Sequence, residues 1–130
     1  MRPSRSTFLA LALTLPSLAL ADPRSALKLS PALTRALAEA PDGRAEMLVV
    51  LAEQADLSPA RRLASKAERG AFVYERLTET ARRTQPELLA ELARLGAPAR
   101  SFWAANFVWT TGDLALAERL AARADVARLD

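Results

Sequence analysis

The chain has 130 residues, with 18 Lys and Arg against 15 Asp and Glu, and contains neither Cys nor His. Lacking thiols and imidazoles, it offers no disulfide framework, no thiolate or imidazole metal site and no His-dependent catalytic triad. Charges of both signs are interspersed, with no basic block and no RNA-binding signature, so the small positive excess does not point to nucleic acid.

Residues 1–21 have the layout of a leader. A short basic head, "MRPSR", precedes an apolar run broken at Pro16, and Ala19 and Ala21 supply small residues at the positions a signal peptidase reads. This predicts a signal peptide cleaved after Ala21, and a secreted or periplasmic product without membrane attachment. The rival reading, an uncleaved anchor, is weakened because the run is shorter than the roughly 20 residues a spanning helix needs. Cleavage would remove Arg2 and Arg5, leaving 16 basic against 15 acidic side chains.

Residues 22–44 read as a lead-in with one short helix. Ser30 is suited to cap it, Pro31 to open it, and Leu33 and Leu37 share a face before Pro41-Asp42-Gly43 turns the chain. Residues 45–130 form the main domain. Its best strand is "AEMLVVLAEQ", with Met47, Val49 and Leu51 on one side and Leu48 and Val50 on the other. A helix is predicted to open at Ser58-Pro59. Its apolar positions continue beyond Gly70 as Val73, Leu77, Ala81, Leu88, Leu92 and Leu95, ending at Gly96. Pro86 either kinks this segment or restarts it through a capping box in Thr84-Gln85-Pro86-Glu87.

Four of the chain's seven aromatic residues (Phe102, Trp103, Phe107 and Trp109) then fall within "SFWAANFVWTTGD". The stretch divides into two strands, "ARSFWAA" and "FVWTTG", separated by Asn106, a residue that tolerates the positive φ of a tight turn or bulge. Asp113 is placed to cap the helix "LALAERLAAR", and "DVARLD" is a final strand.

The order β-α-β-β-α-β predicts an α+β, ferredoxin-like split βαβ fold: a four-stranded antiparallel sheet with two helices on one face. The aromatics then have two possible destinations, the core beneath the helices or a wet apolar patch on the uncovered face, where partners bind. Carboxylates are scattered over predicted helix surfaces with no pair that shares a pocket. The chain is therefore expected to be no enzyme and to need no cofactor or metal.

In order and spacing, "MLVVLAEQADLS", "KAERGAFVYERLTETARRTQPELLAEL", "SFWAANFVWTTGD" and "LAARADVARLD" resemble the N-terminal propeptide of secreted bacterial subtilisin-type serine proteases. The resemblance covers about Leu33 to Asp130, and its most specific parts are the K-x-x-x-G-x-F-V-Y-E-x-L run and the aromatic–Asn–aromatic hairpin. It implies the same topology, a helix-free sheet face docked on two parallel surface helices of the protease, and action as an intramolecular chaperone and inhibitor. It also implies docking roles for Trp103, Asn106, Phe107 and Trp109, and for Asp130, which matches an acidic residue that caps the protease's helix N-termini.

In that family an extended tail and a catalytic domain with Asp, His and Ser motifs follow the acidic residue, and this sequence has neither. Three readings follow: a propeptide-like module that binds a subtilisin-type protease in trans, inhibiting it or assisting its folding; a truncated N-terminal fragment of a secreted subtilase precursor, its partner missing in cis and without independent activity; or an exported interaction domain for an unrelated partner.

Overall fold

The computed structural model describes residues 23–130; the predicted leader and its cleavage site at Ala21 lie outside them. After one turn of helix, α1 (Pro23–Ala26), the lead-in forms α2 (Pro31–Glu39). Ser30 Oγ accepts a hydrogen bond from Leu33 N–H at 3.2 Å, and Pro31 occupies the first turn, where its missing N–H costs nothing. The turn into the sheet places Gly43 at φ 66°, a conformation glycine adopts without strain.

The main domain comprises β1 (Arg44–Leu51), α3 (Lys66–Thr84), α4 (Pro86–Arg94), β2 (Ala99–Phe102), β3 (Phe107–Asp113), α5 (Leu114–Ala121) and β4 (Val126–Leu129). The sheet order is β2-β3-β1-β4, every neighbouring pair antiparallel. This is the α+β, ferredoxin-like arrangement expected from the order of elements.

Strand alternation sorts the sheet into two faces. Met47, Val49 and Leu51 of β1, Val108 of β3, and Val126 and Leu129 of β4 are buried on one side. They pack with Leu88 and Leu92 of α4, Ala117, Leu120 and Ala121 of α5, and Leu33 and Leu37 of α2 in one core. The lead-in helix therefore joins this layer, which is broader than the two helices predicted. The lead-in also covers the outer edge of β4, through a parallel bridge between Leu29 and Leu129.

Several boundaries differ from expectation. β1 ends at Leu51 rather than Gln54, and β2 at Phe102 rather than Ala105. Ser58–Arg62 forms a 3-10 turn, and the long helix starts at Lys66. The physical reason is the stronger cap at Ser65. Its hydroxyl accepts from Glu68 N–H at 3.1 Å, while the Glu68 carboxylate accepts from Ser65 N–H at 2.9 Å. Ser58 is followed three residues later by Arg61, which cannot return that bond. At Pro86 the helix kinks: Gln85 N–H still donates to Ala81 O and Leu89 N–H to Gln85 O, both at 3.0 Å, and Gln85 makes no side-chain cap. Of the two alternatives at Pro86, the kink is the one formed, without the Thr84–Glu87 capping box.

Candidate docking face

The helices leave the other face of the sheet open. Its side chains follow from register. Phe102 pairs with Phe107, Phe107 with Val50 and Val50 with Arg128, giving one row across all four strands. Arg100 pairs with Trp109 and Trp109 with Leu48, and Leu48 exchanges backbone hydrogen bonds with Asp130 at 2.8 and 3.1 Å, giving a second. Each row is apolar in the middle and charged at an end.

The apolar side chains cover one another rather than being covered. Phe102 and Phe107 stack with centroids 4.7 Å apart and planes 14° from parallel, and the Arg100 guanidinium lies 5.8 Å from the Trp109 ring centre. Leu48 is 37% exposed, while Val50, Phe102, Phe107 and Trp109 are half-buried. At the β4 end, Arg128 Nε donates to Asp130 Oδ2 at 2.7 Å, so the carboxylate is held on this face, exposed.

Of the five predicted docking residues, the structure brings Phe107, Trp109 and Asp130 together here and places the other two elsewhere. Trp103 lies beyond the end of β2 and packs edge-on against Tyr74 of α3, 5.2 Å away, on the helix side. Asn106 points inward and is 1% exposed. It has φ 41°, donates from Nδ2 to Glu53 O at 2.6 Å and to Thr84 Oγ1 at 2.9 Å, and accepts on Oδ1 from Gln85 Nε2 at 2.9 Å. Trp103 follows Phe102 past the end of the strand and takes the opposite, helix side, while Asn106 is the expected turn residue but sends its amide into the buried space under the turn rather than to a docking surface. Gln85, which also donates to Phe102 O at 3.1 Å and bonds the Ser101 hydroxyl, ties that turn to the helix kink.

Phe102, one of the clustered aromatics but not among the predicted docking residues, joins the face, as do Arg100 and Arg128, which were not singled out. The signal for Arg128 was its place two residues before Asp130 on a strand. Phe102 and Arg100 required knowing where the hairpin closes.

Arginine–carboxylate contacts hold the helix layer together. Buried Glu91 of α4 accepts from Arg119 Nε at 2.8 Å and from Arg123 Nη1. The bond from Arg119 leads in holding the Glu91 carboxyl below its ordinary range; burial opposes it and Arg123 adds to it. Among the described residues, no cluster of three or more acidic side chains is placed to hold a metal ion, and no helix is long and apolar enough to cross a membrane. No family model, curated protein or solved structure matches the chain.

Proposed function

We propose that this chain is a propeptide-like module that docks the open face of its sheet on a subtilisin-type serine protease, inhibiting it or assisting its folding, without turnover of its own. The observation that carries this is the pair of cross-strand rows, Phe102–Phe107–Val50 and Trp109–Leu48, left uncovered by every helix of the described fold. Apolar surface held rigidly on a sheet and rimmed by charge is what a partner with an apolar, helical surface would bury. The sequence resemblance supplies the kind of partner, and Asp130 at the rim agrees with it. With the leader read as a signal peptide, the encounter would occur outside the cytoplasm.

The test is inhibition and refolding of secreted subtilisin-type proteases by the full chain, with Leu48→Asp and Trp109→Ser as variants. Saturable inhibition, or faster recovery of activity from denatured protease, is expected. Each substitution should weaken it about 10- to 100-fold, as central interface residues do. Circular dichroism should show both variants folded, because neither side chain lies in the core beneath the helices. Proteases unaffected at high micromolar chain, or inhibition indifferent to both substitutions, would sink the proposal.

A further inference from the structure

The two edges of the sheet are finished differently. Leu129 of β4 donates its N–H to Lys28 O at 2.7 Å and accepts from Ser30 N–H at 2.8 Å, so the lead-in closes that edge. Among the described residues, no backbone group outside the sheet hydrogen-bonds β2, whose Ala99, Arg100 and Ser101 are exposed. An open edge presents N–H and C=O groups ready to pair with another extended chain.

Beside this edge, on the helix side, lies a cleft of about 420 Å³ lined by Tyr74, Thr78, Arg82, Leu89, Ser101 and Trp103 among others. Tyr74 and Trp103, both in this lining, are 56% and 43% exposed although they touch each other. Arg82 is the one charged side chain in the lining. Among the described residues no carboxylate pairs with Arg82, and none pairs with Arg100 on the opposite face of the same edge.

We propose that the β2 edge and the Tyr74–Trp103 cleft bind an extended acidic segment of a partner protein, added to the sheet as a fifth strand. Strand addition draws affinity from backbone pairing and specificity from pockets that take alternate side chains. Here one side of the added strand would set an apolar side chain against Trp103 and a carboxylate near Arg82, and the other would bring carboxylates to Arg100. A second copy of this chain is the wrong occupant. Pairing β2 antiparallel with β2 about Arg100 would crowd two Arg100 side chains of like charge. The inference does not rest on the protease reading, since the cleft opens on the helix side of the sheet.

The experiment is a nuclear magnetic resonance titration of the isotope-labelled full chain with the peptide acetyl-Glu-Val-Glu-Phe-Glu-Glu-amide. Controls are the same peptide N-methylated at alternate backbone amides, and one with lysines in place of its glutamates. Saturable binding below about 1 mM is expected, with shifts concentrated in the amides of Ala99–Phe102 and the Trp103 indole. Trp103→Ala should weaken it about tenfold or more, N-methylation should abolish it, and the double variant Arg82→Glu/Arg100→Glu should prefer the lysine peptide. Four results would each overturn the proposal: no saturable binding; equal binding of the N-methylated peptide; shifts centred on Leu48, Val50 and Trp109 instead; or a peptide-free dimer in sedimentation that Trp103→Ala dissolves.

Discussion

Asn106 is the residue on which sequence and structure assign the most different roles, and replacing it separates them. Its side chain hydrogen-bonds three partners, Glu53 O, Thr84 Oγ1 and Gln85 Nε2, joining the end of β1, the helix kink and the β2–β3 turn. Asn106→Gly keeps the positive φ but removes all three. Gln85 Nε2 retains Phe102 O at 3.1 Å, whereas the Glu53 carbonyl loses its 2.6 Å donor. A buried polar group left unpaired costs about 1–3 kcal/mol, and the freer unfolded chain of a glycine adds up to ~1 kcal/mol. The expected loss is thus about 1–4 kcal/mol, or roughly 4–25 °C in Tm for a domain of this size.

Asn106→Asp sharpens the test through its pH dependence. An ionised carboxylate there would face the Glu53 carbonyl, acceptor to acceptor, in a site shielded from water. Its folded pKa would be raised, so the penalty is present above the ordinary Asp range and relieved as pH falls. Once protonated, the carboxyl can donate to Glu53 O as Nδ2 does. Urea unfolding of parent and variant, each at pH 7 and pH 4, should therefore show the smaller difference at pH 4. A difference that grows on acidification, or an Asn106→Gly cost below about 0.5 kcal/mol, would refute the view that Asn106 is a buried structural tie. Impaired protease binding in a variant with unchanged stability would return it to the docking surface.

Two further predictions concern the helix layer. A Cβ at Gly112 would clash with Leu116 Cδ2 and lie 3.1 Å from its Cβ, so Gly112→Ala should cost about 1–3 kcal/mol by overpacking. The same change in a Leu116→Ala background should cost less, and thermal unfolding of the four-member cycle measures the coupling. The lowered pKa of Glu91 means that its pairing with Arg119 and Arg123 contributes stability above the ordinary carboxylate range and loses it as pH falls through the depressed value. Glu91→Gln should destabilise at neutral pH by about 1–3 kcal/mol and flatten the acid limb of the stability curve, which urea titrations from pH 7 to pH 2 would reveal.

What was legible in the sequence was whatever a few neighbouring residues determine. Ser30-Pro31 starts a helix because cap and proline satisfy the same terminus. Asp113 caps α5 by accepting from Leu116 N–H at 2.9 Å. The two-sided apolar run of β1 announced a strand whose second side needed an occupant. The face assigned to each hairpin aromatic was harder, because strand parity is fixed by pairing across the sheet rather than along the chain. Phe102 meets Phe107, and that single register choice sends Phe102 to the open face and leaves Trp103 to the turn, against Tyr74. Moving the turn by one residue would exchange the two. The buried Gln85–Asn106 contact resists that slip, since a shifted turn would strand a buried amide without its partner. The aromatics crowded into one short stretch therefore serve different surfaces, and the polar tie beneath them decides which ring faces which side of the sheet.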